Sequence, residues 1–196
     1  MGKVIVCANL TLDGVMQSPG RPEEDPRGGF SLGGWAAPFG AMEHAGAALS
    51  NLGAFLFGRW TYESFHAFWP KQKGSAFAAT FARTPKYVAS TTLREPLGWE
   101  GSTLLAGDAT KAVARLRREQ EKDLVVFGSG VLVRSLMQRS LVDEYLLLIH
   151  PLILGSGRRL FPEEGGYAEL DLLESNTTHN GVVIAKYAPI EETKLR

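Results

Sequence analysis

The segment 124–157 constrains the fold of this chain more than any other. It opens with an apolar, β-rich run at 124–127, breaks at a glycine turn at 128–130, continues as an amphipathic helical pattern and closes with a longer apolar run ending at 150. This order predicts a strand, a turn, a helix and a second strand. The first helical turn carries N–H groups without internal partners, which favour a phosphate or pyrophosphate. A tight turn that needs glycine only for its backbone freedom is the alternative left open.

Composition narrows the class of protein. The chain has 196 residues, which suits one domain. Lys plus Arg and Asp plus Glu are both 21, so no net field attracts nucleic acid or an anionic membrane. The single cysteine, Cys7, fits a reducing cytoplasm, and no run reaches the roughly 18 apolar residues of a membrane span. We expect one cytoplasmic domain spanning 1–196 that binds neither nucleic acid nor membrane.

Strand and helix patterns alternate along most of the chain, which predicts a mostly parallel α/β sheet with helices on both faces. Thr61 is a candidate cap for one helix and Asp108 for another. The two closing strands have no helix between them, which predicts an antiparallel edge. The predicted strands are 4–10, 54–57, 86–89, 103–106, 124–127, 144–149, 170–174 and 182–187, and the predicted helices are 42–52, 62–69, 75–82, one after Asp108, and 129–138.

A loop rich in Gly and Pro occupies 13–40. It carries the large apolar side chains of Met16, Phe30, Trp35 and Phe39. A loop of this length inside a compact domain is usually functional. Two interpretations stay open: the loop folds over a ligand, or it caps the core.

Four stretches in chain order resemble the dihydrofolate reductase-like superfamily. They are N-L-T-L-D-G at 9–14, L-F-G-R-W-T-Y-E-S at 56–64, V-F-G-S-G at 126–130, and V-D-E with P-L-I-L-G-S-G-R-R-L-F-P between 142 and 162. They are most similar to the reductase domain of the bifunctional deaminase-reductase of riboflavin biosynthesis. No deaminase motif accompanies them. The resemblance implies a stand-alone reductase domain with a three-layer dihydrofolate reductase-like fold.

The resemblance implies NADPH as the hydride donor. Arg59 at a strand end, with Thr61 opening a helix, also suits a phosphate by its chemistry. The matching positions of dihydrofolate reductases hold the adenosine 2′-phosphate, which favours NADP over NAD. A surface ion pair is the alternative for Arg59. The cofactor-binding residues implied are Gly58, Arg59, Thr61, Ser90, Thr91, Gly128, Ser129, Gly130 and Val131.

One departure concerns the glycine turn. Dihydrofolate reductases have a Gly-Gly step there, associated with a cis peptide, where this chain has Gly128-Ser129. A cis bond before a residue other than proline costs ~2.5–4 kcal/mol. The sequence leaves the conformation of this bond open.

The candidate residues on the substrate side of the site are Asn9, Asp13, Trp35 and Glu43. Dihydrofolate reductases carry one buried carboxylate after the long loop, and the matching position here is Met42, next to Glu43. Glu43 is therefore the candidate catalytic residue, with a solvated helix residue as the alternative. Trp35 either covers a flat ring or packs on the core, and Asp13 either approaches the nicotinamide or serves an Asp-Gly turn.

The four histidines lack zinc-site spacing, so we expect no metal. The predicted function is an NADPH-dependent reductase that transfers a hydride to a small heterocycle, with 5-amino-6-(5-phosphoribosylamino)uracil as the candidate substrate. The alternative is a nucleotide- or ligand-binding protein that keeps the fold without turnover. The run at 145–149 and the turn at Gly155 are candidate contacts of a homodimer.

Overall fold

The computed structural model describes residues 1–40, 46, 49–161 and 167–190. Eight strands and four α-helices lie in these ranges. The strands are β1 (Val4–Thr11), β2 (Leu52–Gly58), β3 (Lys86–Ala89), β4 (Ser102–Leu105), β5 (Asp123–Phe127), β6 (Glu144–His150), β7 (Leu170–Thr177) and β8 (Val183–Pro189). The helices are α1 (Arg59–Phe68), α2 (Ala76–Arg83), α3 (Ala109–Glu119) and α4 (Gly130–Met137).

The strands form one mixed sheet in the order β4-β3-β2-β5-β1-β6-β8-β7. β2 pairs in parallel with β3 and with β5, and β3 pairs in parallel with β4. β8 pairs antiparallel with β6 and with β7. The predicted α/β fold with an antiparallel C-terminal edge is confirmed.

The chain divides into two compact units. The first comprises Met1–Ile5 and Asn51–Leu141, and the second comprises Val6–Ser50 and Val142–Arg196. The single domain predicted for 1–196 stays a prediction. In the described ranges, no helix is both long enough and apolar enough to cross a bilayer.

Of the two helix caps predicted from the sequence, the structure confirms one and contradicts the other, and it adds Ser75 as a cap. Asp108 accepts hydrogen bonds from the N–H groups of Thr110 and Lys111, as its capping role predicts, and Ser75 accepts one from Ala78. The prediction that Thr61 caps a helix is wrong. Helix α1 begins at Arg59, three residues before the predicted start, with extended Gly58 as its N-cap, so Thr61 lies within the first turn. Most of the predicted helix 42–52 lies outside the described residues.

The core of the first unit is an aromatic cluster around Phe81 of α2. Phe81 is 2% exposed. Its ring centroid lies 4.6 Å from that of Phe55 on β2 and 5.0 Å from that of Trp69. The other rings that contact Phe81 are those of Phe57, Phe65, Phe77, Trp99 and Phe127. This cluster packs α1 and α2 onto the strands that carry the glycine turns.

Candidate functional site

Two glycine turns meet in the first unit. β2 and β5 are parallel neighbours, with Leu56 opposite Val126, so the turns that follow them lie side by side. The Ser129 hydroxyl joins them, since its oxygen accepts a hydrogen bond from the Gly58 N–H at 2.7 Å and lies 2.8 Å from the Thr61 hydroxyl. A Cβ on residue 58 would stand 2.8 Å from the Ser129 Oγ, so only glycine fits there.

The second turn exposes the first turn of α4. Gly128 and Ser129 both have left-handed backbones, with φ of 55° and 60°. Glu95–Pro96 is the one cis peptide among the described residues, so the Gly128–Ser129 bond is trans. In the described part of the chain, no acceptor is found for the N–H groups of Gly130 and Val131, as a first helical turn predicts.

Arg59 opens α1 beside the same turns. Its Nη1 donates to the Thr92 hydroxyl at 2.8 Å, and its Nε donates to Glu63 at 3.0 Å. The ion pair is exposed on both sides, and such pairs contribute only about 0–1 kcal/mol, so another anion can replace Glu63 at small cost. Both interpretations of Arg59 are therefore compatible with the structure.

A third turn follows β3 and carries Ser90 and Thr91, whose hydroxyls are predicted to bind the cofactor together with Arg59. The Ser90 hydroxyl accepts hydrogen bonds from the N–H groups of Thr92 and Leu93, which shapes the turn. Thr91 is exposed, and no hydrogen bond joins it to Arg59 in the described structure. The residue that contacts Arg59 is Thr92, which the sequence reasoning missed. A run of three hydroxyl residues at a strand end gives no signal for which one bonds to Arg59.

In the second unit, Asp13 joins two turns of the chain. Its carboxylate accepts hydrogen bonds from the Thr11 hydroxyl at 2.6 Å and from the N–H groups of Leu154 and Gly155 at 3.2 and 2.9 Å. These hydrogen bonds, with that from Thr11 the largest, lower the pKa of Asp13. Asp13 is thus an ionised structural acceptor, as the Asp-Gly turn interpretation expects.

The long loop is organised by the buried side chain of Gln17. Its Nε2 donates to the carbonyl oxygens of Asp25 and Arg27, and its Oε1 accepts from the Arg158 N–H. The Gln17 carbonyl accepts a hydrogen bond from Nε1 of Trp35 at 2.8 Å. Trp35 is 8% exposed and clusters with Val15, Phe30 and Ala36. This position matches the core-packing interpretation of Trp35, and its contact with a substrate stays a prediction.

His150, at the end of β6, brings two predicted substrate residues together. Its Nε2 lies 2.9 Å from Oδ1 of Asn9 on β1. The rings of Trp35 and Phe39 meet its imidazole edge-on, with centroids at 5.2 and 5.1 Å. The imidazole is fully buried, and burial lowers the pKa of His150 to about 4. The sequence reasoning considered this histidine only as a metal ligand.

Removing the indole donor of Trp35 should destabilise the protein. Trp35→Phe leaves the buried Gln17 carbonyl without its partner, which costs about 1–3 kcal/mol. Trp69→Phe is the matched control, since its indole has no hydrogen-bond acceptor among the described residues. We expect Trp35→Phe to lower the free energy of unfolding in urea by about 1–2 kcal/mol more than the control. Equal losses would contradict this role of the hydrogen bond.

Two further expectations concern a catalytic carboxylate and a metal. Glu43, the candidate catalytic residue, lies outside the described residues. Within the described ranges, no group of three or more His, Cys, Asp or Glu side chains is placed to hold a metal ion.

Solved structures that superpose on this chain define its fold. The dihydrofolate reductase of Enterococcus faecalis, solved with NADP(H), superposes with a TM-score of 0.62 at 13% identity, over 96% of each chain. A protein of Shewanella sp. PV-4, assigned provisionally to riboflavin biosynthesis, superposes with a TM-score of 0.69 at 20% identity, over 96% of this chain and 99% of that one. The protein therefore has the dihydrofolate reductase-like fold.

The family follows from the sequence match. The RibD C-terminal domain model matches residues 2–184. The chain belongs to the RibD C-terminal domain family. A relative is the uncharacterized protein YyaP of Bacillus subtilis (strain 168), 26% identical over 144 residues, which cover 71% of this chain and 75% of YyaP.

Proposed function

We propose that the protein is an NADPH-dependent reductase that transfers a hydride to a small heterocyclic substrate. The observation that carries this proposal is the Ser129 hydroxyl bridge, which fixes two glycine turns beside each other. Beside the bridge, the first-turn N–H groups of Gly130 and Val131 have no acceptor among the described residues. Such groups, with the positive end of the helix dipole, suit the diphosphate of a dinucleotide.

The residues of the first unit fit the two charged parts of NADPH. The N–H groups of Ser129, Gly130 and Val131 would hold the diphosphate. Arg59 would hold the 2′-phosphate in place of Glu63, with the hydroxyls of the 90–92 turn beside it. When bound, the cofactor supplies the hydride, and the protein positions the ring and excludes water.

The substrate belongs to the second unit in this proposal. Asn9 and Trp35 share contacts with His150, which makes this cluster the proposed substrate side. Either Glu43 or water supplies the proton. The candidate substrate is 5-amino-6-(5-phosphoribosylamino)uracil, and we propose a cytoplasmic homodimer as the working form.

Arg59→Ala tests the cofactor assignment. Loss of a charge-assisted contact to a phosphate costs about 1.5–3 kcal/mol when buried, and less at an exposed arginine, so we expect NADPH affinity to fall roughly tenfold. NADH affinity should change little. The measurement is a titration that follows nicotinamide fluorescence. Arg115→Ala is the matched control, because Arg115 also pairs with a glutamate four residues on. Equal weakening of NADPH and NADH would contradict the assignment.

One observation favours the second candidate, a nucleotide- or ligand-binding protein without turnover. Asp13 is the carboxylate of the predicted substrate side that the structure describes, and its hydrogen bonds lower its pKa, so it stays ionised and does not donate a proton. The two candidates differ in consumption of NADPH. We expect nicotinamide absorbance to fall when 5-amino-6-(5-phosphoribosylamino)uracil and related pyrimidines are added to the protein with NADPH. Tight NADPH binding without consumption across such a series would favour the binding protein.

A further inference from the structure

Nδ1 of His150, a buried polar atom of the second unit, has no hydrogen-bond partner among the described residues. The atom is inaccessible to water. A buried acceptor without a partner costs about as much as a lost hydrogen bond, so such atoms are rare in folded proteins. The missing partner of Nδ1 therefore needs an explanation.

The partner of the other ring nitrogen, Nε2, shows whether Nδ1 carries a proton. Burial keeps the imidazole neutral at neutral pH, and a neutral imidazole has one N–H and one lone pair. Oδ1 of Asn9 faces Nε2 at 2.9 Å and can only accept, so the proton lies on Nε2. Nδ1 then carries the lone pair, and the hydrogen bond to Asn9 fixes the direction in which this lone pair points.

The surroundings of the ring limit what can reach that lone pair. The edge contacts of Trp35 and Phe39 make the neighbourhood apolar and aromatic. The Trp35 side chain is fixed by its hydrogen bond to Gln17. Phe39, on a single 3-10 turn at Ala37–Phe39, is held through its backbone, where its carbonyl accepts a hydrogen bond from Asn180, and its ring is half-buried. Phe39 is therefore the ring that a ligand can displace.

We propose that Nδ1 of His150 accepts a hydrogen bond from a ring N–H of a flat heterocyclic ligand whose ring takes the place of the Phe39 side chain. Asn9 acts as a positioning residue, since it fixes the tautomer and the direction of the lone pair. The inference rests on the proposed reductase function only in identifying this ligand with the substrate.

The probes are uracil, which has ring N–H donors, and 1,3-dimethyluracil, which has the same ring without them. The readout is the nitrogen-15 signal of Nδ1 in histidine-labelled protein. We expect uracil to shift this signal upfield and 1,3-dimethyluracil to leave it unchanged. No shift with uracil, or the same shift with both compounds, would overturn the proposal. A signal already typical of a hydrogen-bonded or protonated Nδ1 in the free protein, unmoved by uracil, would also overturn it and indicate a resident water or the other tautomer.

Two variants test the roles of the two ring nitrogens of His150 separately. His150→Asn can place an amide oxygen near the position of Nδ1, whereas His150→Gln can place an amide nitrogen near that of Nε2 and leaves the Nδ1 position empty. We expect His150→Gln to bind uracil about tenfold more weakly than His150→Asn. Equal affinities would overturn the proposal. The comparison of the two probes on the unaltered protein stays decisive if a variant does not fold.

A parallel NADPH titration on the same protein distinguishes this inference from the proposed function. If NADPH binds but uracil does not shift the Nδ1 signal, only the proposal for His150 is wrong. If uracil shifts the signal but NADPH does not bind, only the proposed reductase function is wrong, and the protein binds a heterocycle.

Discussion

Replacing Phe81 with alanine is expected to lower the free energy of unfolding by ~3–5 kcal/mol. Phe81 is almost fully buried and contacts rings from two strands and from α1, so its removal leaves a cavity that the rigid cluster cannot close. Urea unfolding measures the loss. Since the cluster supports the strands that carry both glycine turns, NADPH affinity should fall in the same variant at temperatures where unfolding begins.

Phe77→Ala is the matched control for this prediction. Phe77 lies on the same helix, is half-buried, and contacts the cluster at its margin through Trp69 and Phe81. We expect less than half the loss seen for Phe81→Ala. Similar losses for both variants would mean that α2, and not the buried ring, is the stabilising element.

The stability of the protein should fall between pH 6.5 and pH 4 because of His150. The pKa of this histidine is lowered from 6.5 to about 4 by burial, so in this interval the unfolded chain binds a proton that the folded chain does not. Stability therefore rises with pH across the interval. The difference between the two pKa values corresponds to ~3–4 kcal/mol of stability, which is present above pH 6.5, and ~2–3 kcal/mol of it is lost as the pH falls to 4.

The contribution of His150 is isolated by comparison with His150→Gln, which cannot titrate. Carboxylates such as Asp13 and Asp25 titrate in both proteins and cancel in the difference. Measured by urea unfolding at each pH, the wild type should lose ~2–3 kcal/mol more than the variant between pH 6.5 and pH 4. Parallel pH profiles would show that the imidazole is solvated in the folded protein.

Local signals predicted most of the elements. The closing strands β7 and β8 were predicted from two apolar runs without a helix between them, and they pair antiparallel. The cap at Asp108 follows from a short polar side chain placed just before a helical pattern. Thr61 has the same local signal and does not cap, because the helix already begins at Arg59 with Gly58 as its N-cap.

The contacts that build the candidate site are long-range, which is why the sequence does not reveal them. The Ser129 hydroxyl and the Gly58 N–H are 71 positions apart, and His150 and Asn9 are 141 apart. Composition and periodicity report on neighbours along the chain, and no periodic pattern encodes which histidine a loop will cover. The resemblance to a family located the glycine turns, but it gave no role to His150 or Thr92.

The most direct test of the cofactor site is nitrogen-15 NMR of the backbone amides with NADP+ added. The proposal predicts the largest shifts at Ser129, Gly130 and Val131, with further shifts at Arg59 and Thr61 beside the Ser129 bridge. NAD+ should reproduce the shifts at the α4 turn and leave those at Arg59 small. The assignment of this site to a nicotinamide dinucleotide would be contradicted if NADP+ did not bind, or if the amides that shift lay outside both turns.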